Sequence, residues 1–301
     1  MLTLTLTFVV RLYSDDRIIF SSQNTMSFIS HDSLICPIDG LALLFEKDAL
    51  SCTHGHQFDI GKPGYANLLA VQHKRSKSPG DSKPMVNARS AFLAKDFYAP
   101  IARRLAAHIA DHVRDSECEQ LTVVDAGCGE GYYLEQISAL VEHDLHLVGF
   151  DISKWAIQRA ARRCPGTWLV ASNKRIPLAD NSVDFMLDLF GFPDFESFRR
   201  VLKPNGKLLR ATPSTNHLIE VRNIIYPALK DTRPRQQPDS FKKNTQFNIN
   251  YELALVAEDI HNLLAMTPHL YRAPREGLTR LAEFNALNVT VDVNVDVLEL
   301  S

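Results

Sequence analysis

The run Val124-Asp-Ala-Gly-Cys-Gly-Glu-Gly-Tyr-Tyr133 lies between an apolar stretch and a helical pattern, and its residue types suit the capture of a small ligand. Gly127 and Gly129 let the backbone turn sharply and approach a molecule that a Cβ would hold away. The helix that follows can receive an anion at its N-terminus. A nucleoside-triphosphate loop would need Gly-Lys-Ser/Thr, which is absent here. A dinucleotide fingerprint would need glycine or alanine where this chain has Tyr132, and the acid Asp125 is also foreign to it. S-adenosylmethionine asks for less, because its only anion is the methionine carboxylate. The next apolar stretch ends in Gly149-Phe-Asp-Ile-Ser153, where Asp151 can accept both ribose hydroxyls of an adenosyl group. Asn173, after the third, offers an amide to the adenine edge. A ligand-free turn would leave unexplained why an acid ends each of the first two strands. S-adenosylmethionine is the expected cofactor.

A second group of side chains has metal-ligand spacing. Cys36-Pro-Ile-Asp39 and Cys52-Thr-His-Gly-His56 flank Leu41–Leu50 as two short ligand pairs, the layout of a zinc knuckle. Cys36, Asp39, Cys52 and His56 are the candidate Zn2+ ligands. Asp39 stands where a thiolate is expected, and a harder carboxylate donor predicts weaker zinc binding than three cysteines and a histidine would give. His54 is a spare donor. The competing reading is a metal-free remnant of such a knuckle.

Residues 71–90 form a polar, Gly/Pro-punctuated stretch in which Lys74, Arg75, Lys77, Lys83 and Arg89 stand against Asp81. These cations are candidate phosphate contacts, with a solvated loop as the alternative. The net charge of −2 means that any contact with nucleic acid is local.

These residues need a scaffold, and the chain supplies one. The 301 residues, 45% hydrophobic, suit one globular domain with a smaller appended module. Leu121–Asp125, His146–Asp151, Thr167–Ala171, Val183–Phe190 and Lys207–Thr212 read as strands. Helical patterns cover Ile101–Val113, Tyr132–Val141, Lys154–Arg163 and Phe195–Leu202. Such alternation predicts an α/β fold with a doubly wound, mostly parallel sheet, Rossmann-like, as in class I S-adenosylmethionine methyltransferases. Asn288–Leu298 alternates with period two, as an antiparallel strand with one wet face. Residues 231–250 read as a loop near the substrate. The expected layout is an N-terminal extension over 1–33, a knuckle module over 34–70, a basic linker over 71–91 and the methyltransferase domain over 92–301. Met26 is a second candidate start, which would leave 1–25 outside the fold. Met1–Val10 is apolar, but the first basic residue, Arg11, follows it, so it does not read as a secretory signal. No stretch approaches ~18 uninterrupted apolar residues, so no membrane span is expected. Five scattered cysteines argue for a reducing compartment, and the expected location is cytoplasmic.

With these pieces together, the chain resembles the bacterial large-subunit ribosomal RNA guanine-N1 methyltransferase family from about Ser33 to its C-terminus. The likeness runs through His56-Gln-Phe-Asp59, Gly64-Tyr-Ala-Asn-Leu-Leu69, Val71-Gln-His-Lys-Arg75 and Pro79-Gly-Asp-Ser82. It continues in the Asp125–Tyr133 loop, Ala211-Thr-Pro213 with His217-Leu218, and Met266-Thr-Pro268. The resemblance implies zinc at Cys36, Cys52 and His56, with Asp39 at a family cysteine. It implies cofactor contacts at Tyr98, Tyr133, Leu134, Asp151, Ile152 and His217, and a ribosomal RNA hairpin as partner; a homodimer is left open. Leu189-Phe-Gly-Phe-Pro-Asp194 departs from the family's aromatic-Ala-Pro turn near the target base. The implied reaction is attack of guanine N1 on the sulfonium methyl by an unstacked nucleotide. N1 must lose a proton, and Asp188 and His217 are the candidate bases. A diverged paralogue acting on another base or a small molecule, and a non-catalytic RNA-binding protein, are the rival readings.

Overall fold

The computed structural model describes residues 28–69, 79–114, 118–229 and 238–301. The parallel core is built from β5 (Gln120–Ala126), β6 (Asp144–Asp151), β7 (Thr167–Val170), β8 (Val183–Leu189) and β9 (Leu202–Pro213). Their Val/Leu/Phe-rich sequences suit strands covered on both faces. Two antiparallel strands, β10 (Phe241–Val256) and β11 (Ala286–Leu300), complete one side, giving the order β7-β6-β5-β8-β9-β11-β10. The order reverses direction between β5 and β8, and the crevice at such a switch point is where an open α/β sheet takes its ligand. Two apolar layers sandwich the sheet. Helix α2 (Ala99–Val113) and helix α3 (Tyr132–Leu140) lie in one, with Ile101, Leu105, Ile109 and Ile137 fully buried. The other holds Val124, Met186, Leu208 and the fully buried Phe198 of α5 (Phe195–Val201).

The cysteine-bearing segment folds as an antiparallel set, β1 (Leu44–Glu46), β2 (Ala49–Ser51), β3 (Gln57–Gly61) and β4 (Tyr65–Asn67). It is stitched into the main sheet, because β4 pairs in parallel with β7 through Ala66↔Leu169 and Asn67↔Val170. Leu34, Leu43 and Leu50 share the apolar layer of Val124 and Met186.

Three expectations change. Residues 241–250 are strand rather than loop. A bulge between Lys243 and Thr245 reverses which face the odd positions serve, so Phe241 packs on one layer and Ile249 on the other, and the period-two signal breaks. Residues 83–91 of the expected basic linker belong to helix α1 (Lys83–Leu93), with Pro84 in its first turn. Residues 28–33 of the expected extension belong to the fold: Phe28 and His31 are buried, and Thr167 Oγ1 donates to Ile29 O at 2.6 Å. The proposed start at Met26 and residues 1–25 lie outside the described residues.

Candidate cofactor cleft and metal centre

The C-terminal ends of β5, β6, β8 and β9 open onto a cleft of about 1930 Å³. Of the residues picked out in the sequence, Tyr98, Asp125, Gly127, Gly129, Tyr133, Asp151, Ile152, Asn173 and His217 all line it. Leu134 does not: its side chain is fully buried in the core beneath α3.

Asp125, next to the end of β5, has 1% of its surface exposed, and neither carboxylate oxygen has a hydrogen-bond partner among the described residues. Burial, and then the neighbouring Asp151 and Asp188, push its carboxyl well above the usual carboxylate range. Buried polar groups are normally paired, so a carboxyl left this way facing a cleft fits a positively charged ligand group. Gly127, at φ +87°, presents open space where a Cβ would stand. The turn is braced by Asp151, whose Oδ2 accepts from Gly129 N at 3.1 Å and whose Oδ1 accepts from Ser153 N at 2.7 Å. Tyr133 adds a buried hydroxyl without a partner among the described residues, and burial raises its pKa. These orphaned groups and the open glycine cradle fit the ammonium, sulfonium and ribose of S-adenosylmethionine.

Glu130, to which the sequence pattern assigns no role, is a structural clamp. It is 1% exposed and takes Arg163 at 2.6 Å and Arg159 at 3.4 Å, tying the loop to the helix α4 (Lys154–Ala160) and the turn after it. Asn173 donates from Nδ2 to Phe192 O at 2.8 Å, so its amide also pins the loop after β8.

The candidate bases fare differently. His217 Nδ1 accepts from Asp292 N at 3.2 Å, which leaves the ring proton on Nε2. Burial lowers its pKa to about 4. In this tautomer Nε2 is a donor toward the cleft rather than a proton acceptor. Asp188 is buried and ion-paired with Arg210, Nε to Oδ2 at 3.3 Å, so its carboxylate is committed to a cation. Phe190, between them, holds φ +59° and stacks 6.0 Å from the His217 ring.

Of the expected phosphate contacts, Lys74, Arg75 and Lys77 lie outside the described residues. Arg89 faces the cleft, bound to Asp81 at 2.5 Å, with its guanidinium 3.4 Å from where a Cβ on Gly129 would stand. Lys83 sits 5.7 Å over the Trp155 ring. A basic pair that the sequence pattern did not single out, Lys174-Arg175, lines the cleft instead, as does Pro37 from the knuckle. Their place after β7, at the carboxyl edge of the sheet, was the available signal.

The knuckle brings its four candidates together, all donor atoms lying within 4.8 Å of one another. His56 Nδ1 lies 3.5 Å from Cys36 Sγ, 3.4 Å from Cys52 Sγ and 3.0 Å from Asp39 Oδ2. A tetrahedron with Zn–S of about 2.3 Å and Zn–N or Zn–O of about 2.0 Å has edges of roughly 3.3–3.8 Å. The two sulfur edges fall in that range and the His56–Asp39 edge is a few tenths of an ångström short of it, a spacing that zinc can take with a small shift of the exposed Asp39. His54 Nδ1 reaches Asp39 Oδ2 at 3.2 Å, making it a support for the unusual ligand.

Comparison with known proteins gives two family matches. The family described as "RlmA, N-terminal", a zinc ribbon, matches residues 34–77, and "Methyltransferase domain" matches residues 123–206. A provisionally named 23S rRNA (guanine-N(1)-)-methyltransferase of Micromonospora griseorubida is 33% identical, over 88% of this chain and 95% of its own. The 23S rRNA (guanine(748)-N(1))-methyltransferase of Streptomyces fradiae is 31% identical over the same shares, 88% and 95%. Among solved structures, a methyltransferase of Anaeromyxobacter dehalogenans matches at a TM-score of 0.46 and 19% identity, over 65% of this chain and 94% of that one.

Proposed function

The chain belongs to the 23S rRNA (guanine-N(1)-)-methyltransferase family, and from that membership we infer that it methylates N1 of a guanine in large-subunit ribosomal RNA. The observation that carries this reading onto the chain's own residues is the buried, unpartnered Asp125 carboxyl facing the cleft. S-adenosylmethionine, when bound, supplies an activated methyl on a sulfonium, so the protein's task is alignment and exclusion of water.

In this reading Asp125 meets the ammonium of the methionine end, and the open backbone at Gly127 and Gly129 admits its carboxylate. Asp151 takes the ribose hydroxyls and Asn173 faces the adenine. Tyr98, Tyr133 and Ile152 wall the cleft, and His217 offers an Nε2 proton to an acceptor. Cys36, Asp39, Cys52 and His56 hold zinc, which fixes the ligand turns of the knuckle (residues 34–70) beside the methyltransferase domain. Pro37 brings that knuckle to the cleft mouth, which supports a ribosomal RNA hairpin as the element gripped there. The cytoplasm, where ribosomes are made, is the matching compartment. No described helix is long and apolar enough to cross a membrane.

Nucleoside mass spectrometry of ribosomal RNA from cells lacking the protein tests the reading. One 1-methylguanosine should disappear, return with the wild-type chain and stay absent with Asp151→Ala. An unchanged 1-methylguanosine content would overturn it.

A further inference from the structure

Arg210 is a lone charge in the otherwise apolar run Leu208-Leu209-Arg210-Ala211, and only 4% of it is exposed. A guanidinium is costly to bury without partners, and such a residue in a core strand needs a reason. The Arg210 guanidinium lies 5.4 Å over the Phe195 ring. Asp188 opposes it across β8–β9 and Asp296 across β11, and Asp296 is itself held by Lys243 at 2.6 Å. Acid and base thus alternate across four neighbouring strands beneath the cleft. The Asp188–Arg210 pair lies under the turn Phe190-Gly191-Phe192, where a Cβ on Gly191 would strike the Asp188 carboxylate. Asp188 Oδ2 lies 3.3 Å from Arg210 Nε as an ion pair without a hydrogen bond, and Arg210 is among the residues that line the cleft.

We propose that Arg210 is the group that reads the target base: its guanidinium binds O6 of the guanine, selecting it over adenine and holding the charge that O6 gains when N1 is deprotonated. The proposal rests on guanine N1 being the target. Its chemistry answers a gap in the site, since Asp188 is tied to a cation and His217 presents a donor. A fixed guanidinium at O6 makes N1 more acidic, so its proton can pass to solvent without a dedicated protein base. The N1–methyl bond then forms as the carbon–sulfur bond breaks, with the electron pair staying on sulfur. Arginine suits the task because its fork matches guanine O6 and N7, whereas adenine presents an amino donor at the same place. The basic groove between α1 and α4 was the competing feature, but its Arg159 and Arg163 are already bound to Glu130 and Glu135.

The test uses the full-length protein and a ribosomal RNA fragment spanning the site that the wild-type enzyme methylates, with guanine or adenine at that position. In binding without cofactor, wild type should favour the guanine fragment by about 10- to 100-fold. Arg210→Gln should bring that ratio near unity while S-adenosylmethionine affinity, which also reports the fold, is retained. Its single-turnover rate should fall at neutral pH and recover as pH rises, because N1 must then ionise unaided. If loss of the guanidinium beside Asp188 unfolds this variant, Asp188→Asn with Arg210→Gln replaces the pair by neutral near-isosteres, and Arg210→Lys keeps the charge but loses the fork. A wild-type guanine preference and pH profile in the folded variants would overturn the proposal. Methylation by the wild type at an atom other than guanine N1 would instead overturn the functional reading on which it stands.

Discussion

Asp125 shows how one side chain can report on a ligand. In the free protein its carboxyl is raised by burial and by two neighbouring acids, so it holds a proton where an ordinary aspartate would not. An ammonium brought beside it favours the charged form, so binding expels that proton. The free state holds the proton more tightly than the complex, and cofactor affinity therefore rises with pH until the raised value is passed. Calorimetry in buffers of different ionisation enthalpy should report net release of protons when S-adenosylmethionine binds. Asp125→Asn should bind more weakly and release none; undiminished release would take Asp125 out of the site. Asp151 makes a different kind of contact. Its two oxygens already order Gly129 and Ser153, so Asp151→Ala removes the brace of the turn together with the proposed ribose interaction. The expected loss is about 1.5–3 kcal/mol of cofactor affinity, with RNA binding much less affected. Equal losses for both ligands would point to misfolding.

At the level of elements, strands β5 to β9 were legible because buried parallel strands are short apolar runs ended by turns, and their ends carried the acids. Strand β10 was not, because its bulge moves the apolar residues from one face to the other partway along. The pairing of Arg210 with Asp188 was hidden because a charge within a strand gives no periodic signal; its meaning appears only when β8 and β9 lie side by side. The segment before the knuckle was hidden for a similar reason. His31 and His146 meet ring to ring at 4.3 Å, and each bonds a threonine, Thr122 and Thr167, at 3.0 Å. Burial lowers both histidines, His146 to about 4. The unfolded chain then binds more protons below its ordinary histidine value of about 6.5, so stability present above that pH is lost as pH falls toward about 4. Urea midpoints should drop between pH 7 and pH 4.5, and by less in His146→Gln. The knuckle has its own test. Leu34, Leu50 and Ala66 are buried in the same layer as the sheet, so a chelator should loosen the ligand turns around Asp39 and His54 while β4 stays paired with β7. Limited proteolysis should map new cuts to those turns, and Asp39→Cys should raise zinc affinity and protect them. Cuts spread evenly through residues 44–67 would show that the metal holds the whole segment.

For the whole molecule, charge has to be placed rather than abundant, since the net value is −2 and the substrate is a polyanion. The knuckle reaches the cleft through Pro37, and the Lys174-Arg175 pair, beyond β7, lines the same cleft. An RNA strand gripped by the knuckle would pass this pair before a base reaches Arg210, so the pair is positioned to steady phosphates on either side of an unstacked nucleotide. Neither residue reaches the cofactor acids through an ion pair among the described residues, so their removal should leave S-adenosylmethionine binding intact. Removing one cation from a phosphate should lower the magnitude of the log–log salt slope by about 0.7–0.9, and the double variant Lys174→Ala/Arg175→Ala should therefore lower it by about 1.4–1.8. The rate with saturating RNA should change less than the affinity, because these side chains position the backbone and leave the base to the cleft. A variant with an unaltered slope would take this pair off the RNA path, and Lys74, Arg75 and Lys77 would be the next cations to replace.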